Sequence, residues 1–527
     1  MELIKISPDR VQIKSSNQQL SDIRINSAIL LQDVKSGVSV VCLVESISRR
    51  EEDEQFDFDG NLLVSEPAST IECGIIGSLV DGKFHKSVDQ YPCSDVTIRK
   101  IDDLMFSAMI AAPESAAFQI GRYANYNTAA YLDGNKFFQR HSAILGSTGS
   151  GKSWTEAGIL EKVSRLKSAN VVLFDLHGEY AGLSYAKRVE IGPDGLSFPL
   201  WFLPLKDVYS NLLRIKEESS QLQVAALRKA FYHARSSNKP EDVPISYFLD
   251  DLIAPLEFEN VAEISTGEVY KTGANAGKPK TVKGENNGKL TGLINLLRDR
   301  QMDKRYDFMT RAETQDYLYR FVHELYAIDD KNIKVLDLSG VPSEIAPVII
   351  AVTAKLLYKV HLQQDRSKIL PLNMICDEAH NYIPSSDFGL GASQRRLLDV
   401  FETIAKEGRK FGVSLTVISQ RPSELNKTIL SQCANYIVLK LSNEADKQIV
   451  RGMLPEGSQG VLSGVSLFRP GDCLVVGDSA SIPLKIRVDL PGERPESNTI
   501  SVWDEWCGPA ELDTDHLVNK ILERVGV

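Results

Sequence analysis

Along the first hundred residues the hydrophobic positions come in short β-branched runs, Val38-Ser-Val-Val-Cys-Leu-Val44, Ile71-Glu-Cys-Gly-Ile-Ile76 and Val96-Thr-Ile98. Phe118-Gln-Ile120 continues the series, and turn residues separate the runs. Short strands at such spacing predict a small β-barrel domain over residues 1–135, with the acidic stretch Glu51 to Asp59 as a solvated hairpin loop. From about 136 the pattern changes to apolar runs alternating with segments of helical period, the signature of a mainly parallel α/β sheet. Strands are expected at 141–145, 170–175, 334–338, 372–377, 412–419, 435–440 and 473–477. The α/β core therefore spans 136–206 and 331–490. Between 207 and 330 the alternation stops, and 222–234 and 315–326 read as helices of an insertion. Its polar, Gly/Lys-rich stretch Ser265 to Lys289 reads as a mobile loop. A Pro-Gly turn at 491–492 opens a C-terminal arm, 491–527, which ends in an amphipathic helix over 514–524.

One junction in this pattern carries chemistry. The apolar run His141-Ser-Ala-Ile-Leu145 enters Gly146-Ser-Thr-Gly-Ser-Gly-Lys-Ser153, which fits G-x-x-x-x-G-K-[ST]. Such a match arises by chance in roughly 0.02 of chains of this length. Ala157, Leu160, Val163 and Leu166 follow at helical spacing, so a helix N-terminus would point its dipole at bound phosphate. The backbone from Gly146 through Ser147, Thr148, Gly149, Ser150 and Gly151 would cradle the phosphates. Lys152 would reach the β/γ-phosphates, and the Ser153 hydroxyl would meet Mg²⁺. The competing reading is a flexible Gly/Ser turn.

Hydrolysis also needs a metal carboxylate and a group that activates water. Leu372-Asn-Met-Ile-Cys-Asp-Glu-Ala-His380 is an apolar strand ending in paired acids. Asp377 would hold Mg²⁺ through water and Glu378 would polarise the attacking water. Gly412 to Ser419 is another apolar strand, tipped by Gln420, whose amide can both donate to and accept from a γ-phosphate and its water; a plain strand-end turn is the alternative. Asp175, His177 and Glu179 follow strand 170–175, where they would either support the metal-water network or close the strand. Arg140 and Arg409 are candidates for the cation that such sites take from a neighbouring subunit, against a plain surface role.

Composition narrows the setting. The chain has 527 residues, 43% hydrophobic and 25% charged, enough for two or three ordinary soluble domains. It opens on no signal-like segment and shows no apolar run long enough to span a membrane, so a cytoplasmic location is expected. The cysteines are scattered without C-x-x-C spacing and read as reduced core residues. A formal net charge of −10 argues against a protein coating nucleic acid over its whole surface and leaves room for a local basic lining. Arg395, Arg396, Lys406 and Lys410, or Lys271, Lys278, Lys280 and Lys283, would supply one, or else simply face solvent. Asp387-Phe-Gly389 matches a kinase tripeptide by chance, since H-R-D is absent.

RHSAILGSTGSGKS (140–153), DLHGEY (175–180), VLDLSGVP (335–342), CDEAHNYIP (376–384) and AKEGRKFGVSLTVISQRPSELNKTILSQCANYIVLKL (405–441) together resemble the HerA branch of the FtsK–HerA superfamily. The resemblance implies a RecA-like P-loop NTPase core and a homohexameric ring with ATP and Mg²⁺ between subunits. It also implies double-stranded DNA threaded through the channel. By the same resemblance Glu378 is catalytic, Gln420 senses phosphate, Arg140 is the trans-acting arginine and Arg409 the second arginine candidate. Archaeal members work with a nuclease, and bacterial relatives include proteins that assemble with a separately encoded nuclease or sirtuin-like NAD hydrolase in anti-phage defence. The expected activity is an ATP-driven DNA translocase or helicase. Its rival is an ATP-dependent ring scaffold that regulates an effector without translocating DNA.

Overall fold

The computed structural model describes residues 1–16, 23–49, 55–56, 62–63, 68–93, 95–110, 116–272, 275, 277–326, 329–386, 389–454, 460–497, 502–508 and 513–525. It divides into two compact units, one of residues 1–167, 375–380 and 404–494, the other of 168–374, 381–403 and 495–527.

The first unit opens with an antiparallel sheet in the order Glu2–Ile6, Arg10–Ser16, Ala68–Val80, Ser39–Arg49, Ala28–Asp33, Val96–Lys100. Lys83–His85 folds back on Ala68–Val80 through Asp81-Gly82, both at positive φ (49° and 75°), the backbone that a tight two-residue hairpin requires. Val11 and Ile13, Ile29 and Leu31, Val40, Cys42 and Val44, and Ile71, Cys73 and Ile75 alternate along their strands and meet in one core. Each such side chain, fully buried, contributes roughly 1.5–3 kcal/mol. The opposite face is also covered: Tyr126 stacks on Phe106 at 3.9 Å, and its hydroxyl accepts the Ala28 N–H at 2.8 Å. Where a barrel was expected, the described residues form this antiparallel sheet, with no pairing between its first and last strands. Of the acidic stretch, only Gln55–Phe56 lies within the described residues, paired antiparallel with Leu62–Leu63.

The same unit holds a second sheet. Ala129–Asp133, Ala117–Tyr123, Lys485–Val488, Asp472–Gly477 and Cys433–Val438 pair antiparallel in that order. Cys433–Val438 and Val413–Ser419 then flank His141–Leu145 in parallel. All residues of His141–Leu145 and Val413–Ser419 are buried, as expected of parallel strands covered on both faces. The expected domain boundary at 135 is corrected here, because Phe118-Gln-Ile120 lies in a strand that pairs with Lys485–Val488 and not with the N-terminal sheet. An alternating pattern marks a strand without saying which sheet it joins.

In the second unit, Ile333–Asp337 lies between Val171–Asp175 and Ala186–Glu190, all parallel. Helices Gln221–Ala234, Leu249–Val261, Thr291–Met302 and Tyr317–Tyr326 lie within residues 207–330. The stretch read as a mobile loop is instead an exposed antiparallel hairpin, Glu263–Val269 with Pro279–Lys283. Its Ile, Thr and Val residues are β-formers that a Gly/Lys-rich composition masks. The α/β core drawn as one domain over 136–206 and 331–490 is shared between the two compact units. The C-terminal helix runs Thr514–Val525.

Candidate nucleotide site

The first unit builds a phosphate loop from strand register upward. His141–Leu145 ends beside the ends of both parallel neighbours, Leu145 opposite Ser419 on one side and Val438 on the other. Gly146 N–H donates to the Ser419 carbonyl at 3.2 Å and Ser147 N–H to that of Lys440 at 2.8 Å, which pins the loop to both strands. Gly149 and Gly151 have φ of 71° and 99°, in the left-handed region that favours glycine. At Gly146 a Cβ would lie 2.6 Å from Ser150 Oγ and 2.8 Å from Leu439 Cβ, so the loop closes only without a side chain there. The helix Lys152–Ser164 starts at Gly151, which supplies no side-chain cap, and the partial positive charge of the helix end faces the loop. Ala157, Leu160 and Val163 are buried as expected, whereas Leu166 is exposed. The Lys152 ammonium curls back toward the Ser147 carbonyl at 3.4 Å, within the cradle.

Around this loop stand the other sequence-predicted groups of the same unit. Asp377 is buried just beyond the strand Leu372–Cys376. Glu378 follows at φ 43°, a conformation that costs a non-glycine residue about 1–2 kcal/mol and is maintained only by its surroundings. Gln420, at the tip of Val413–Ser419, accepts the Thr148 hydroxyl at 2.5 Å through its Oε1 and so faces the loop directly.

Two residues that the sequence reading passed over, His380 and Ser419, join them. His380 Nδ1 lies 3.2 Å from Glu378 Oε2 and 3.3 Å from Ser419 Oγ. Burial holds the imidazole below its ordinary pKa, opposed by the charge of Glu378 and Glu424 and aided by that of Arg421 and Lys152. The only sequence signal was a histidine two places past the paired acids, too common a residue to single out without its neighbours.

The arginines are elsewhere. Arg140 precedes His141 and Arg409 lies in the turn Gly408–Phe411 before Val413–Ser419, so both sit at the end of the parallel strands opposite the loop. His141 to Leu145 spans roughly 13 Å and Val413 to Ser419 roughly 20 Å, beyond an arginine side chain. Arg140 pairs with Asp478, both about two-fifths exposed, and Arg409 is exposed. Between them His141 is buried and fixed. Its Nδ1 accepts the Leu415 N–H at 2.9 Å, so Nε2 carries the proton and donates to the Ala405 carbonyl at 2.9 Å.

Asp175 and Glu179 belong to the second unit. Asp175 Oδ1 accepts the N–H groups of His177, Gly178 and Glu179 at 3.1, 2.8 and 3.3 Å, and Oδ2 accepts that of Tyr180 at 2.9 Å. Burial raises its pKa against these donors. Of the two readings given to Asp175, these bonds describe the closing of a strand. Among the basic residues considered for a lining, Arg396 is committed to the buried Asp207, and Lys280 pairs with Glu268 at 3.3 Å on the exposed hairpin.

Among the described residues no helix is long and apolar enough to cross a membrane. Cys42, Cys73, Cys376, Cys433 and Cys473 are buried thiols outside any disulfide, in keeping with reduced core residues, and Cys93 and Cys507 are exposed.

Comparison with known proteins matches residues 118–357 to the family described as "Helicase HerA, central domain". The DNA double-strand break repair helicase HerA of Saccharolobus solfataricus is 26% identical over 386 residues, covering 72% of this chain and 69% of its own. That of Sulfolobus acidocaldarius is 26% identical over 438 residues, covering 83% and 81%. Among solved structures, VirB4 of Thermoanaerobacter pseudethanolicus aligns at 14% identity and a TM-score of 0.48, covering 72% of this chain and 97% of its own. The plasmid coupling protein TrwB in complex with ADP and Mg²⁺ aligns at 13% identity and a TM-score of 0.41, covering 67% and 86%. On the family match and the curated relatives, the chain is similar to the HerA helicases over its central part; it is a P-loop ATPase, and ATP is its nucleotide.

Proposed function

We propose that the chain is an ATP-driven translocase on duplex DNA that works as a closed ring of six copies. The observation that carries the ring is the placement of Arg140 and Arg409 at the strand ends opposite the phosphate loop. If either arginine serves the γ-phosphate, it does so from the next copy, and a head-to-tail interface of that kind gives a ring when its rotation closes. The DNA reading is supported by relatives named as DNA double-strand break repair helicases.

Within the site, the loop N–H groups and Lys152 bind the phosphates, Gln420 senses the γ-phosphate through its amide, and Glu378 orients and polarises the attacking water. The Ser153 hydroxyl and the Asp377 carboxylate are hard oxygen donors of the kind Mg²⁺ takes alongside phosphate and water. They would hold the ion, which neutralises charge on the β- and γ-oxygens. Among the described residues no cluster of three or more His, Cys, Asp or Glu competes as a metal site. Glu179 keeps the supporting role that the sequence reading gave it, and Asp175 takes a structural one.

A separately encoded effector, a nuclease or an NAD hydrolase acting in anti-phage defence, is the partner carried over from the family resemblance, and a pull-down from the native cell tests it. The translocase is tested by ATP hydrolysis with and without linear duplex DNA at low and moderate salt, beside Lys152→Ala. Stimulation by DNA that falls steeply with salt is the expected result. Undiminished hydrolysis with no response to DNA would replace the translocase by the regulatory scaffold.

A further inference from the structure

One side chain of the phosphate loop reaches across to the strand that carries Gln420. We propose that Thr148 is a positioning residue that holds the Gln420 amide in the orientation that presents Nε2 to a γ-phosphate. This rests on the reading of Gln420 as the group that senses that phosphate.

Backbone contacts fix both ends of the link. Gly146 N–H donates to the Ser419 carbonyl at 3.2 Å and Ser147 N–H to that of Lys440 at 2.8 Å, while Ser147 Oγ accepts the Ser442 N–H at 3.3 Å. Thr148 comes next, ahead of Gly149 at φ 71°. On the facing strand Ser419 is fully buried, and its Oγ accepts the Arg421 N–H at 3.0 Å, so the residues on either side of Gln420 are held to each other. What freedom remains lies in two side chains. Their hydrogen bond removes it: Thr148 Oγ1 donates to Gln420 Oε1 at 2.5 Å. Loop and strand are thus joined twice, by backbone at Gly146 and by side chains at Thr148.

The second join has a chemical direction. In a side-chain amide the oxygen accepts and the nitrogen donates. With Oε1 engaged by the hydroxyl, Nε2 donates to none of the described residues and is the end left for an anion. Turned over, the amide would set its oxygen against the phosphate oxygens, acceptor to acceptor. The last torsion of a glutamine is broad and nearly two-fold, so without the hydroxyl both orientations are open.

Two substitutions separate the hydroxyl from the shape of the side chain. Thr148→Val keeps the branched shape and loses the hydroxyl, whereas Thr148→Ser keeps the hydroxyl. Thr148→Val is expected to lower kcat by about 10-fold, and to lower the preference for ATP over ADP in direct binding by about 10-fold, with ADP affinity unchanged within about 2-fold. Thr148→Ser should stay within about 3-fold of the parent in each. In a Gln420→Ala background, Thr148→Val should change kcat and the ATP preference by less than about 2-fold, because the hydroxyl acts through the amide. ADP binding also shows that each variant is folded. Parental values in Thr148→Val, a serine variant as impaired as the valine one, or ADP affinity lost as far as ATP affinity would each overturn the proposal. So would a full further loss in the Gln420→Ala background, which would give the hydroxyl a contact with phosphate of its own. Gln420→Ala alone separates the two levels. If it keeps parental hydrolysis and preference, the sensing role of Gln420 fails and the positioning role with it. If it loses both while the Thr148 series matches the parent, only the role of Thr148 fails.

Discussion

Two strands of this molecule end in carboxylates, and the two ends are built differently. After Val171–Asp175, the oxygens of Asp175 are occupied by four backbone N–H groups of the turn that follows. After Leu372–Cys376, Glu378 takes a strained backbone and shows a histidine contact at 3.2 Å. Saturation with backbone donors fixes a turn and leaves no lone pair directed at chemistry. A positive φ at a residue with a β-carbon costs energy that its surroundings must supply. The difference separates an acid that closes a turn from the one proposed to activate water more sharply than sequence position does.

The largest effect that sharpens this contrast is at the reacting end. Glu378→Gln is expected to lower turnover by at least about 100-fold while ATP remains bound, as measured by steady-state hydrolysis and nucleotide binding. Lys152→Ala should lose binding itself, which the same binding assay reads. At the structural end, Asp175→Ala leaves backbone donors unsatisfied in a buried turn and should cost roughly 3 kcal/mol of stability, read from the denaturation midpoint. Turnover per folded molecule should be retained. A variant that stays stable but loses turnover would erase the distinction. The smallest effect belongs to the exposed hairpin. Lys278→Ala with Lys280→Ala should change stability by less than about 0.5 kcal/mol, because the Lys280–Glu268 pair is solvated. If the hairpin tracks DNA, each lysine lost should lower the salt slope of DNA-stimulated hydrolysis by about 1.

Much of this was legible in the sequence wherever burial on both faces writes a continuous apolar run. His141–Leu145 has the bounds expected of it, and Val413–Ser419 and Leu372–Cys376 differ by a residue at one end, because parallel strands under helices admit little else. The short strands are less legible: Ala186–Glu190 and Lys485–Val488 are charged, and nothing in AKRVE or KIRV distinguishes a strand from a loop. The loop residues of the candidate site follow from a fixed spacing of glycines and lysine. His380 and Ser419 do not, since their meaning lies in a meeting of segments 39 residues apart. The separation of the arginines from the phosphate loop was likewise implicit in their places before, and not after, their strands.

That separation is the centre of the account, and mixing two inactive variants tests it most directly. Arg140→Ala keeps a sound phosphate loop, and Lys152→Ala keeps a sound arginine. If the site is shared between copies, each variant alone is inactive and their equimolar mixture regains hydrolysis, with about a quarter of the interfaces intact in randomly mixed rings. A mixture as inactive as its parts, in rings shown by mass to contain both variants, would contradict a site completed by the neighbouring copy.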